Sequence, residues 1–144
     1  MKKYDVGFTC SAFDLLHVGH IMMLEECKAN CGVLCVGLQT DPTIDRSEKN
    51  KPVQSYFERY KQLKAIKYID EVHPYETEAD LLVLLKEISP QVRFVGEDYK
   101  DKPFTGKDMK NVDVYYNKRY GYSTTDLRER IANQWYTIEN EKYT

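Results

Sequence analysis

The sequence predicts a three-layer α/β fold, a parallel sheet with helices on both faces. Short apolar strand-like runs alternate with helix-patterned segments along the chain, and no internal repeat or low-complexity linker interrupts that alternation. One run, Val33-Leu34-Cys35-Val36-Gly37-Leu38, is apolar without a break, the pattern of a strand covered on both faces. At 144 residues the chain can bury one sizeable core and is short for two. A single domain over residues 1–144 is therefore expected, with a polar, fraying tail after about residue 136.

Tyr4 to Cys10 reads as the first strand, and Ile21 to Ala29 as a helix with Ile21, Met23, Leu24 and Cys27 on one broad face. The second strand, Val33 to Leu38, ends at Gln39-Thr40-Asp41-Pro42. Ser55-Tyr56-Phe57-Glu58 has capping-box spacing, in which the serine oxygen accepts a free N–H and the glutamate reaches back; a helix to about Tyr68 is expected. Glu71 to Tyr75 reads as a weak strand, and Pro74 puts it near a sheet edge. Leu81, Leu82, Leu84, Leu85 and Ile88 recur at helical spacing between a Thr77/Asp80 start and a Ser89-Pro90 stop. Val92 to Val95 and Val112 to Tyr116 are further strands, separated by a polar loop or lid over residues 97–111. The last helix starts near Ser123 to Asp126 and should turn Leu127, Ile131 and Trp135 inward.

Composition narrows the partners. A formal charge of −2 supplies no broad basic field for a nucleic acid, so any bound anion must meet a local cluster of donors. No apolar stretch has the length of a signal peptide or membrane span, which leads to an expectation of a cytoplasmic protein. Cys27 and Cys31 are spaced to share a helix face, yet Cys10 and Cys35 lie in apolar runs where a thiol packs as a small hydrophobe. The set lacks the paired spacing of a zinc site; buried free thiols in a reducing compartment are expected.

The chemistry concentrates where the first strand meets its helix. Ser11-Ala12-Phe13-Asp14-Leu15-Leu16-His17-Val18-Gly19-His20 places two imidazoles three residues apart at a helix start. Such a start offers unpaired N–H groups and the positive end of the helix dipole, so it favours phosphate. Gly19 lets the backbone approach closely, and the imidazoles add donors that strengthen as charge grows on a leaving pyrophosphate. Histidines at a helix end have duller uses, as polar surface or as metal ligands, but the remaining histidine, His73, lies far along the chain beside Pro74. A second helix start, Lys118-Arg119-Tyr120-Gly121-Tyr122-Ser123-Thr124-Thr125, combines two cations, a turn glycine and three hydroxyls; these can cap the helix and bind phosphate at once. The first strand-to-helix turn lacks Gly-x-Gly-x-x-Gly, which argues against a dinucleotide oxidoreductase.

Residues 13–20 and 121–125 resemble the two signatures of the cytidylyltransferase family, closest to its members that use glycerol 3-phosphate. Ser55-Tyr56-Phe57-Glu58-Arg59, Tyr68-Ile69-Asp70-Glu71-Val72 and Val95-Gly96-Glu97-Asp98-Tyr99 also sit where that family has similar segments, so the resemblance covers nearly the whole chain. It implies a Rossmann-like fold, CTP and Mg2+ as partners, a phosphorylated small alcohol as acceptor, pyrophosphate as product and a homodimer. It further implies that His17 and His20 contact the triphosphate, with Lys49, Lys51 and Lys118 or Arg119 as the cations. Ser11, Ala12, Phe13, Asp14, Gly19, Asp98, Gly121, Tyr122, Ser123, Thr124 and Thr125 would bind nucleotide, with Asp14 as a candidate magnesium ligand. Arg59, Lys67 and Asp70 would lie near the acceptor or the dimer contact. The chain departs from the family at Ser11-Ala12, where a glycine is usual, at Lys118, where an arginine is common, and around Thr77 to Leu81, which lacks the basic residues of the glycerol-phosphate enzymes. Transfer of cytidylate or adenylate to a sugar phosphate, phosphoethanolamine or flavin is the rival within the class, and a non-catalytic nucleotide sensor the rival outside it.

Overall fold

The computed structural model describes residues 2–142. Five parallel strands form one sheet: β1 (Tyr4–Ser11), β2 (Cys31–Gln39), β3 (Glu71–Tyr75), β4 (Val92–Gly96) and β5 (Asp113–Asn117), in the order β3-β2-β1-β4-β5. The helices between and after them are α1 (Val18–Asn30), α2 (Tyr56–Lys64), α3 (Glu78–Ile88) and α4 (Thr124–Lys142). The chain moves outward from β1 to β3, then returns to the far side of β1 to place β4. That reversal makes the carboxyl ends of β1 and β4 a topological switch point, where such sheets leave a crevice for ligands.

Strand alternation divides the interior in two. Leu34, Val36 and Leu38 of β2, with Val92 and Phe94 of β4, face Leu24 and Cys27 of α1 and Leu63 of α2. Phe8, Cys35 and Tyr75 face Leu81 and Leu85 of α3 on the other side. The expected three layers are thus present, with α1 and α2 over one face and α3 over the other. All four cysteines are free, three of them buried; Cys31 opens β2 instead of continuing α1.

Two helices differ from their sequence pattern. α2 stops at Lys64 because the chain tightens into turns, Ile66 N–H to Leu63 O and Ile69 N–H to Ile66 O, from which Ile66, Tyr68 and Ile69 pack against the core. In α4 Ile131 and Trp135 are 50% and 60% exposed, not inward as their spacing suggested. Periodicity marks a helix face and says nothing of what covers it: α4 docks through its first turns and then runs clear of the sheet. α4 continues to Lys142, which pairs with Glu139 at 3.0 Å.

Candidate active site

The turn from β1 to α1 is built at some conformational cost. Phe13 and Leu15 both adopt left-handed backbone (φ 49° and 51°), unusual for residues with bulky side chains. Burial of the Phe13 ring and a hydrogen bond from Leu15 N–H to Gln54 Oε1 (2.9 Å) hold the turn in place. Asp14, also buried, accepts from Val53 N–H (2.8 Å) and Gln54 N–H (2.9 Å) and pairs with Arg128 of α4 at 2.8 Å. Its carboxylate thereby ties three segments together.

The histidines form the helix cap themselves. His17 Nδ1 accepts from Gly19 N–H (3.0 Å), and His20 Nδ1 accepts from His17 N–H (3.2 Å), a capping box made of two imidazoles. The rings stack with centroids 3.9 Å apart. Burial lowers the pKa of His17; burial, then the neighbouring His17, pulls that of His20 down to about 4, against a smaller opposing pull from Asp14. Near neutral pH both rings are uncharged, and because each Nδ1 is an acceptor, the proton of each sits on Nε2. His17 Nε2 lies 3.3 Å from Thr124 Oγ1, so the two signatures, 107 positions apart in the chain, meet at one place.

The second signature is held by an anchor the sequence did not mark. Glu26 of α1 accepts from Lys118 N–H (3.0 and 3.1 Å), Tyr120 Oη (3.2 Å) and Asn117 Nδ2 (3.3 Å). Arg119 N–H donates to Glu97 (3.2 Å), leaving both cationic side chains exposed. Gly121 turns the chain at φ +79°, and Ser123 Oγ accepts from Asp126 N–H (3.0 Å) to start α4. A pocket of about 250 Å³ is lined by Gly19, Met23 and residues 118–123, Tyr122 and Ser123 included; Thr125 is exposed on the first turn of α4.

Beside it, a cleft of about 810 Å³ opens across the carboxyl ends of the strands, lined among others by Ser11, Ala12, Gln39, Gly96 and Lys49. Lys51 is exposed two residues further on, and Asp98 is exposed after β4, its carboxylate folded against Gly96. Two arginines that sequence reasoning passed over also line the cleft. Arg46 pairs with Glu78 (2.8 Å); Arg93, buried, lies over the rings of Phe8 and Phe104 and donates to Thr105 O (2.8 Å). The Nε atoms of both are buried without a hydrogen-bond partner. A charged residue inside the apolar run Val92 to Val95 was the available signal for Arg93.

Of the three residues expected near the acceptor or the dimer contact, none lines the cleft. Arg59 is 2% exposed and donates to the carbonyls of Ala12 (2.9 Å), Gln39 (2.6 Å), Thr40 (2.6 Å) and Gln54 (3.2 Å), so it braces the walls of the cleft from behind. Asp70 accepts from Leu34 N–H (2.7 Å) and pairs with Lys28 (2.6 Å) before the amino end of β3, and Lys67 is exposed nearby. Neither of the latter two lies at the carboxyl ends, where the cleft opens. The donors around the imidazoles are nitrogen and hydroxyl groups, and Asp14, the candidate magnesium ligand, already accepts from Val53 N–H, Gln54 N–H and Arg128.

A family model described as cytidylyltransferase-like matches residues 8–130. The chain is 34% identical over 137 residues to the bifunctional protein HldE of Campylobacter jejuni subsp. jejuni, covering 93% of this chain and 30% of that protein. The HldE protein of Caulobacter vibrioides is also 34% identical over 137 residues, with 90% of this chain and 28% of the relative covered. The chain thus spans under a third of the length of these relatives. Among solved structures, a lipopolysaccharide core biosynthesis protein from Thermoplasma volcanium superposes with a TM-score of 0.67 at 21% identity, over 81% of this chain and 98% of that one. A pantothenate synthetase from Thermus thermophilus gives 0.50 at 16% identity, over 81% and 56%. These two likenesses bear on the fold alone. With the two signatures joined at the switch point of a Rossmann-like sheet, the chain belongs to the cytidylyltransferase-like family of nucleotidyltransferases.

Proposed function

We propose that the chain transfers a nucleotide, CMP from CTP in the first instance, to the phosphate of a small polyhydroxy acceptor, with release of pyrophosphate. The observation that carries this is the approach of His17 Nε2 to Thr124 Oγ1, which sets both helix starts, the Gly19 approach and the Lys118/Arg119 cations around one mouth. An acceptor phosphate oxygen attacks the α-phosphorus; the bond from that phosphorus to the bridging oxygen breaks, and pyrophosphate departs toward the imidazoles. The acceptor phosphate is already ionised at neutral pH, so no general base is needed. Catalysis lies in alignment and in Nε2–H donors aimed at developing charge. Magnesium would enter with the triphosphate, since it keeps its waters and takes few protein ligands.

A sugar phosphate is the acceptor best supported, ahead of glycerol 3-phosphate. The cleft, at about 810 Å³, has room for a nucleotide and an acceptor larger than glycerol phosphate. Its Arg46 and Arg93 offer charge-assisted partners for phosphate, and Glu78 one for hydroxyls, so the cations that the Thr77 to Leu81 segment lacks come from other elements. The similarity to HldE leans the same way. A homodimer would give the exposed Ile131, Trp135 and Ile138 row of α4 a covered position, and sedimentation at several concentrations tests it.

The deciding experiment incubates the protein and magnesium with CTP or ATP and a panel of sugar phosphates, glycerol 3-phosphate and phosphoethanolamine, measuring pyrophosphate. Acceptor-dependent release with CTP and a sugar phosphate is expected. Tight triphosphate binding with no release from any pair would make the protein a nucleotide sensor instead.

A further inference from the structure

We propose that Cys35, Glu71 and His73 form a zinc(II) site on the α3 face of the sheet, distinct from the nucleotide cleft. Chain distance disguises this set, because Glu71 lies thirty-six positions after the thiol. Parallel pairing removes that separation: Cys35 stands directly opposite Glu71 in the β2–β3 register, and His73, two residues on, points to the same face. One ligand atom from each, thiol, carboxylate oxygen and imidazole nitrogen, lies within 4.8 Å of the other two. One ion can therefore be reached from all three with only side-chain adjustment.

The donor chemistry fits the ion. Zinc is borderline-soft and takes sulfur, nitrogen and carboxylate oxygen together, whereas magnesium and calcium would not choose a thiol and an imidazole. His73 Nε2 already meets Glu71 Oε1 at 2.8 Å, so the ring is turned toward the set before any metal arrives. Cys35 is buried, while Glu71 and His73 are partly open to solvent, which leaves an entry path and a fourth position for water. The thiol is protonated without metal, since burial and the Glu71 carboxylate raise its pKa; uptake of the ion displaces that proton to solvent as the thiolate bond forms. The consequence is structural. β3 is an edge strand of five residues that includes a proline, and a bound ion would clip it to β2 by side chains in addition to the ladder.

Cobalt(II) is the probe. Reduced, chelator-treated full-length protein is titrated with Co2+, and one equivalent should produce a thiolate-to-cobalt charge-transfer band that stoichiometric Zn2+ abolishes. Cys35→Ser should remove the band, and Cys10→Ser should keep it. His73→Gln, a change on the partly exposed edge strand, should weaken cobalt binding by about a hundredfold, at the top of the loss expected even for an outer-sphere partner. It should also cancel the rise in Tm that zinc gives the parent protein. Because Cys35 is in the core, a Cys35→Ser protein that fails to fold leaves His73→Gln to decide. Absence of the band at stoichiometric cobalt, or a band and affinity unchanged in His73→Gln, overturns the site. Neither outcome bears on pyrophosphate release.

Discussion

His20 is a base that folding makes weaker. Its pKa falls from 6.5 to about 4, so between those values the unfolded chain takes up a proton that the native protein refuses. Stability is therefore complete above about pH 6.5 and declines as pH falls toward 4, by at most about 3.5 kcal/mol at ~1.4 kcal/mol per pKa unit. Urea unfolding at pH 7 and pH 4.5 should show a smaller acid-induced loss for His20→Asn than for the parent. A triphosphate brought against the same ring reverses the bias, since negative charge raises an imidazole pKa. His17 divides its labour between two nitrogens: Nδ1 caps the helix and Nε2 reaches the mouth of the site. Asparagine can keep the capping acceptor while losing the distal donor. His17→Asn should thus fold normally and lower kcat by about a hundredfold, the usual cost of one oxyanion donor, with a far smaller change in CTP affinity.

At the scale of elements, two glycines that look alike in the sequence do different work. A Cβ on Gly19 would sit 2.8 Å from His17 Cε1 and 2.9 Å from Tyr122 Cβ, wedging α1 away from the segment that carries the second signature. A Cβ on Gly121 would meet nothing within 4 Å, and only its φ of +79° opposes substitution. Gly121→Ala should cost about 1 kcal/mol of backbone strain and retain activity. Gly19→Ala should lose most kcat/KM while its urea midpoint moves little, because the wedge acts between two exposed edges of the site and not in the core. Both glycines were legible as motif positions; their mechanical difference was not, because it depends on which element comes to rest opposite each. The same limit explains Arg59 and Asp14. Sequence puts Asp14 in the first signature and Arg59 on a capped helix, but their partners include backbone groups up to 47 positions away and, for Asp14, Arg128 at 114, and only the folded chain reveals them as braces. Strands and caps were readable because they obey local rules of period and hydrogen bonding. The outward face of α4 was not, since no local rule states where the core ends.

For the whole molecule, the strand order decides which ligand goes where. The reversal at β1 and β4 opens a crevice, and the two sides of β1 equip it differently. The β1-to-α1 turn and the 118–125 segment bring helix starts, imidazoles and exposed cations, a surface suited to a long, highly charged polyphosphate. The α3 side brings the Arg46–Glu78 pair and Arg93 held on Thr105 O, a surface suited to a smaller ligand that carries one phosphate and several hydroxyls. Binding energy for donor and acceptor then resides in separate residues, and kinetics should separate them. Arg46→Gln removes one guanidinium from the cleft wall and leaves Glu78 with its bond from Thr105 Oγ1 (2.8 Å), so the wall should persist. The expected result is a rise of about tenfold in KM for the sugar phosphate, as for loss of one charge-assisted hydrogen bond, with KM for CTP nearly unchanged. The reverse pattern, CTP affected and acceptor spared, would mean that the triphosphate extends across the α3 side. The division of the crevice proposed here would then be wrong, even if the reaction were right.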